Sequence, residues 1–191
     1  MRIGIFGGSF NPPHNMHKNI ALELIKNGYL DKVIYVPTGE KYPKEGLGSF
    51  EDRYKMVSRM IEENPNLEVS NYEKDNLTYT FQTLDYFQKQ YMGDEIYFIC
   101  GTDNFKIINT WKNYQYILDN YKLIVIPRND DNIDNLVNTF GGNVIVPTLS
   151  YQVISSTEVR ADLKQKRYSR KLTKTVPQPV LDYIYDNNLY L

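Results

Sequence analysis

The sequence predicts an α/β protein built on a doubly wound parallel sheet, and three observations carry that prediction. Short apolar, β-branched runs alternate along the chain with segments of helical periodicity. Two of those runs, Val33-Ile34-Tyr35-Val36 and Leu123-Ile124-Val125-Ile126, lack polar alternation, as strands covered on both faces do. Three runs lead directly into Gly7-Gly8-Ser9, Pro37-Thr38-Gly39 and Gly101-Thr102-Asp103. Such segments suit the carboxyl ends of parallel strands, where ligands bind at the point at which strand order reverses. The expected architecture is therefore a single-domain, Rossmann-like sheet spanning residues 1–191.

Taken in order, the first strand is expected over 2–6, where Ile3, Ile5 and Phe6 are apolar. A helix follows over 16–27, carried by Ile20, Ala21, Leu24 and Ile25 and ended by Gly28. The second strand covers 32–36, and the Gly- and Pro-containing stretch 39–49 reads as a mobile loop. Helix 50–63, strand 67–69, helix 80–91 and strand 95–100 continue the alternation. Helix 112–120, strand 122–126, helix 132–140 and strand 143–146 complete the sheet. Two further helices, near 157–165 and 178–187, form a C-terminal helical part (about 155–191) expected to pack on the same domain. No internal repeat or long linker divides the chain.

A length of 191 residues, 41% hydrophobic and 24% charged, suits one globular domain with a substantial core. The net charge of −1 provides no basic field, so nucleic acid is not an expected partner. No run approaches the roughly 20 apolar residues needed to cross a bilayer. The first residues enter a strand with no signal-peptide pattern, so a reduced, cytoplasmic setting without a membrane partner is expected. A single cysteine rules out an internal disulfide framework, and Cys100, at a strand end, reads as a small buried hydrophobe. The 17 tyrosines are compatible with a homo-oligomer but identify no interface.

Two segments carry chemistry. In the first, Gly7-Gly8-Ser9-Phe10-Asn11-Pro12-Pro13-His14-Asn15-Met16-His17, a glycine turn and both histidines lie between a strand and a helix. Turn N–H groups and the positive end of the helix dipole suit an anion, and His14 and His17, three apart, can face the same phosphates. A metal pair is the rival reading of the histidines, but its carboxylate ligands would have to come from afar. The turn is neither Gly-x-Gly-x-x-Gly nor a P-loop. In the second segment, Ile154-Ser155-Ser156-Thr157-Glu158-Val159-Arg160, a serine can cap a helix whose first turn places Arg160 for a bidentate phosphate contact. Read alone, it is equally an ordinary capped helix with a surface arginine. The basic stretch Arg160 to Lys174 otherwise reads as a solvated face.

Together these segments resemble the nucleotidyltransferase superfamily that carries His-x-x-His and Ile-Ser-Ser-Thr-x-x-Arg, and within it the bacterial nicotinate-nucleotide adenylyltransferases. The resemblance extends through Thr78-Tyr79-Thr80-Phe81-Gln82-Thr83-Leu84, Gly101-Thr102-Asp103-Asn104 with Trp111, and the C-terminal Val176-Pro177…Leu189-Tyr190. It implies transfer of AMP from ATP to nicotinate mononucleotide, with Mg²⁺ bridged through the ATP phosphates rather than held by a protein metal site. It implies that His14, His17, Lys44 and Arg160 act on the phosphates. Gly7, Gly8, Ser9 and Phe10 would line the phosphate and ribose cleft, and Gly101 and Asp103 would sit at the ribose. Ile154, Ser155, Ser156 and Thr157 would border adenine and phosphates, and Thr80 and Trp111 would hold the nicotinate ring. Without the resemblance, Trp111 reads first as a core aromatic.

Several positions depart from the family pattern. Lys41-Tyr42-Pro43-Lys44 lacks the usual histidine before the lysine, Arg128-Asn129-Asp130 stands in place of Arg-Pro-Gly, Asn11 replaces the commoner aspartate, and Asn15-Met16-His17 resembles the nicotinamide-nucleotide enzymes. These leave the phosphate chemistry intact and bear on acid or amide preference, so a nicotinamide or dual-specificity enzyme is the alternative. A non-catalytic nucleotide-binding regulator, a phosphopantetheine enzyme and a NAD-dependent dehydrogenase fit less well. The first would have no need of His14, His17 and Arg160 together. The second usually carries Thr at the position of His14, and the third fails its glycine pattern.

Overall fold

A computed structural model of the chain describes residues 1–75, 77–128, 133–165 and 169–191. Among these, six strands form one all-parallel sheet: β1 (Arg2–Gly8), β2 (Lys32–Pro37), β3 (Leu67–Val69), β4 (Glu95–Gly101), β5 (Lys122–Ile126) and β6 (Asn143–Ile145). Their spatial order is β3-β2-β1-β4-β5-β6. The chain thus winds outward from β1 and returns to its other side at β4, which puts the switch point between those two strands.

The helices are α1 (Asn15–Lys26), α2 (Phe50–Ile61), α3 (Thr80–Gln90), α4 (Thr102–Phe105), α5 (Tyr114–Asn120), α6 (Ile133–Phe140), α7 (Ser156–Gln165), α8 (Leu172–Thr175) and α9 (Gln178–Asp186), with a 3₁₀ turn at Ile108–Thr110. Strand side chains alternate between two apolar layers, as the period of two requires. Val33, Tyr35, Tyr97, Ile99, Ile124 and Ile126 join residues of α1, α2, α7, α8 and α9 on one face. Ile3, Ile5, Ile34, Val36, Phe98, Leu123 and Val125 join residues of α3, α4, α5 and α6 on the other. Burial on both sides explains why the central runs read as continuous apolar sequence.

Helix ends differ from expectation for local reasons. The fifth helix begins at Tyr114 instead of residue 112 because Asn113 takes a left-handed conformation (φ 55°), which breaks the helical path. α1 ends at Lys26, and Gly28 (φ 72°) turns the chain as its N–H donates to the Ile25 carbonyl. α4 and α8 are too short to show periodicity. Asn132, expected to open the sixth helix, lies outside the described residues. None of the described helices is long and apolar enough to cross a membrane.

Candidate active site

The carboxyl ends of β1 and β4 open onto a cleft with two lobes. The first, about 320 Å³, is lined by the glycine turn, both histidines and the segment 154–157 with Arg160. The second, about 640 Å³, is lined by Thr80, Trp111, Tyr79 and Lys112 among others. Gly7, Gly8, Ser9 and Lys44 border both lobes. Every residue expected at ATP therefore lies on one lobe, and both residues expected at the pyridine lie on the other.

The glycine turn owes its shape to a residue that sequence reasoning had assigned only to the cleft wall. Phe10 is 2% exposed and left-handed (φ 46°), wedged edge-on against the rings of Phe6, His17 and Tyr35. Its ring lies so close to Gly8 that a Cβ there would stand 3.0 Å from it. Close approach of the Phe10 ring, rather than its own backbone angles, thus favours glycine at position 8.

His14 and His17 stack, centroids 3.7 Å apart and planes inclined by 22°. The His14 backbone N–H donates to His17 Nδ1 at 3.3 Å, which leaves the proton of a neutral His17 on Nε2. Burial first, and then the Arg128 charge, pushes the His14 imidazole down to about 3. His17 falls well below its ordinary value through burial, then through His14 and Arg128. Two stacked rings beside a guanidinium resist protonation, so both are neutral donors near pH 7.

Arg160, on α7, donates to the Asn11 carbonyl at 2.7 Å and to Thr157 Oγ1 at 3.2 Å. Ser156 Oγ donates to the Pro12 carbonyl at 3.0 Å, and Ser155 Oγ accepts from the Thr157 N–H at 3.3 Å. Ser155 thus caps α7, while Ser156 and Arg160 dock the helix start on the glycine loop. The Ile154 N–H meets Met16 Sδ at 3.4 Å, placing this segment against α1. Lys44 Nζ donates to Ser9 Oγ at 2.8 Å, so the 39–49 loop folds back over the turn. Asp103 is paired with Arg128 at 2.9 Å. Trp111 meets Phe98 edge-on at 5.8 Å while its free side borders the second lobe.

This geometry has known counterparts. A sequence model of the family described as cytidylyltransferase-like matches residues 5–162. A probable nicotinate-nucleotide adenylyltransferase of Clostridium acetobutylicum is 33% identical over 198 residues, covering 98% of this chain and 98% of that protein. A probable nicotinate-nucleotide adenylyltransferase of Caldicellulosiruptor bescii is 34% identical over 199 residues, covering 100% of this chain and 99% of that protein. This chain belongs to the nicotinate-nucleotide adenylyltransferases of the cytidylyltransferase-like family. Its fold matches the Plasmodium falciparum nicotinic acid mononucleotide adenylyltransferase complexed with NaAD, with a TM-score of 0.84, 23% identity and coverage of 99% of this chain and 97% of that one.

Set among the adenylyltransferases, three residues of the cleft region went unassigned in the sequence. Arg128 lines the first lobe and lies so near Gly101 that a Cβ there would stand 3.3 Å from its Nε. Its sequence signal was the arginine kept from the family's Arg-Pro-Gly, just beyond β5. Asn129 and Asp130, the rest of that departure from the family pattern, lie outside the described residues. Asn11 needs to be an amide: Nδ2 donates to the Gly46 carbonyl at 2.8 Å while Oδ1 accepts from Tyr190 Oη at 2.6 Å and the Gly48 N–H at 3.1 Å. An ionised aspartate has no donor for Gly46. Arg53 has 0% exposure and lies beneath the turn. Its signal was an arginine on the apolar stripe of Phe50, Val57 and Met60.

Proposed function

We propose that this chain transfers AMP from ATP to nicotinate mononucleotide, giving deamido-NAD and pyrophosphate, a cytoplasmic step of NAD biosynthesis. The observation that carries this reading is the two-lobed cleft with a shared floor. A nucleotide in each lobe brings its phosphates together over Gly7, Gly8, Ser9 and Lys44. Adenosine takes the lobe of the histidines and the 154–157 segment, and the pyridine takes the lobe of Thr80 and Trp111.

A 5′-phosphate oxygen of the mononucleotide attacks the α-phosphorus, and the bond from that phosphorus to the bridging oxygen breaks. A phosphate monoester with a second pKa near ~6 is already ionised at pH 7, so no general base is required. The barrier is charge repulsion and alignment, which positioned donors lower. His17 offers Nε2–H, and Arg160, Lys44 and His14 complete a donor set around the reacting phosphates. Burial is the main cause of the depressed imidazoles and the Arg128 charge a lesser one, and a bound polyanion would offset only that lesser part.

ATP enters as its Mg²⁺ complex. Asp103 and Glu45 line the first lobe, with Asp103 engaged by Arg128. Among the described residues no group of three or more His, Cys, Asp or Glu side chains gathers around a metal position. Asp103 and Glu45 would lie nearest an ion brought in with the phosphates, and such an ion would supply charge neutralisation there. At the second lobe, the Lys112 ammonium stands 4.5 Å from the Tyr79 ring centroid. The Glu73 carboxyl there is taken up by the Thr83 hydroxyl at 2.6 Å. The Lys112 cation at the rim favours the acid pyridine over the amide.

The test is pyrophosphate release from MgATP with nicotinate mononucleotide, nicotinamide mononucleotide and phosphopantetheine as separate acceptors. Release with the first and little with the others is expected. Comparable release with both pyridines overturns the acid preference, release with phosphopantetheine alone overturns the acceptor, and ATP binding without release overturns catalysis.

A further inference from the structure

A buried cation stands behind the cleft. Arg53 is fully enclosed, and its guanidinium donates to backbone carbonyls of three separate segments: Gly48 through Nε at 2.8 Å, Ser9 through one terminal nitrogen at 3.0 Å and Thr38 through the other at 2.7 Å. Its charge has no carboxylate hydrogen-bonded to it among the described residues, and the nearby Glu40 accepts from the Phe50 N–H instead. Burying a cation this way is costly, and the hydrophobic stripe of α2 would accept an aliphatic side chain in its place. The cost calls for a role beyond packing.

The three carbonyls belong to the glycine turn, the end of β2 and the root of the loop that carries Lys44. Arg53 lines neither lobe, so these oxygens are held on the far side of the cleft wall. The Gly8 carbonyl is likewise taken up, by the Thr38 N–H at 3.0 Å. A phosphate cradle works only if N–H dipoles face the anion and C=O dipoles face away. Asn11 extends the same set of bonds: its side chain joins Gly46, Gly48 and Tyr190, while its own carbonyl accepts from Arg160. The packing is tight enough that a Cβ on Gly48 would stand 2.9 Å from Asn11 Oδ1 and 3.3 Å from Tyr190 Oη.

We propose that Arg53 and Asn11 form a polar hub that positions the phosphate-binding wall for both nucleotides, holding the Ser9, Thr38 and Gly48 carbonyls behind the cleft and setting the loop that carries Lys44. Arg53 is a positioning residue, touching neither substrate. The hub rests on the reading of the cleft as a two-nucleotide site.

The decisive variant is Arg53→Lys, which keeps the charge but replaces a planar fork that spans three carbonyls with one compact ammonium. KM for ATP and for nicotinate mononucleotide should rise together, by at least about tenfold, the scale of lost charge-assisted hydrogen bonds. Calorimetric affinity for Mg²⁺-pyrophosphate should fall by a similar factor. A lower melting temperature with both KM values and pyrophosphate affinity unchanged overturns the proposal, because a packing role alone predicts that result. Should Arg53→Lys not melt cooperatively, Tyr190→Phe decides. It removes one bond to Asn11 from outside the cleft and should weaken pyrophosphate binding, and unchanged binding overturns the hub. Pyrophosphate binding requires no turnover. A wild-type protein that binds pyrophosphate but never forms the dinucleotide refutes the proposed function and still leaves the hub open to this measurement.

Discussion

At the scale of single residues, the stacked histidines define what the site can do. His17 Nδ1 is occupied by the His14 N–H, so a neutral ring keeps its proton on Nε2, the atom proposed above to meet a phosphate oxygen. His17→Ala, or Arg160→Ala in the same lobe, should lower kcat by about 10²-fold or more, the scale of losing one transition-state donor. Steady-state pyrophosphate release measures it, and near-normal turnover in either variant removes that residue from the role. The same burial affects stability. Both imidazoles are depressed on folding, His14 from 6.5 to about 3. Below 6.5 the unfolded chain binds protons that the folded one refuses, so their contribution is fully present above 6.5 and is lost as pH falls toward 3. Each site can cost up to about 1.4 kcal/mol per pH unit in that window. Thermal melts at pH 7 and pH 5 should show a smaller drop for His14→Ala than for wild type, and equal drops would contradict the depressed value.

At the scale of elements, the central strand and its neighbours are matched by shape as well as by pattern. Gly4 of β1 faces the layer containing Leu30 and Ile99, where a Cβ would stand 2.4 Å from Leu30 Cδ1 and 2.7 Å from Ile99 Cδ1. Gly4→Ala should overpack this layer by about 1–3 kcal/mol, a fall of roughly 2–4 °C in Tm for each kcal/mol. An unchanged melt would show that both side chains can move aside. The glycine reads in the sequence only as an interruption of an apolar run; its reason lies in a loop residue 26 positions away that packs against it. The strands themselves were legible because burial on two faces leaves a continuous apolar run of fixed length. Helix starts were less so: asparagine tolerates the left-handed conformation, but the local sequence does not say whether Asn113 adopts it.

At the scale of the whole molecule, the C-terminal helices belong to the same apolar layer as the sheet. Leu172, Val176, Val180, Leu181 and Ile184 join Leu24, Val33 and Met56 in it. Tyr183 Oη also donates to Asp52 on α2 at 2.8 Å. A chain joined this way should melt in one cooperative transition, with residues 155–191 unfolding together with the rest. Ile184→Ala, at a fully buried position, should destabilise it by about 2–5 kcal/mol. Calorimetry with two resolved transitions would instead mark the C-terminal part as a separate unit.

The sequence by itself determined the class of fold and the order and approximate limits of the strands, and it singled out the two motif segments that the family resemblance assigns to phosphates. Each of those is written in local pattern: period, glycine turns, and histidine, serine and arginine at helical spacing. Only the tertiary structure decided that those segments share one lobe while Thr80 and Trp111 share another. It alone made Phe10 a wedge and placed Arg128 beside the histidines. It also brought Arg53, Asn11 and Tyr190 to one point behind the glycine turn. Those residues are far apart in the chain, and a buried polar group acquires meaning only from the partners that folding brings to it.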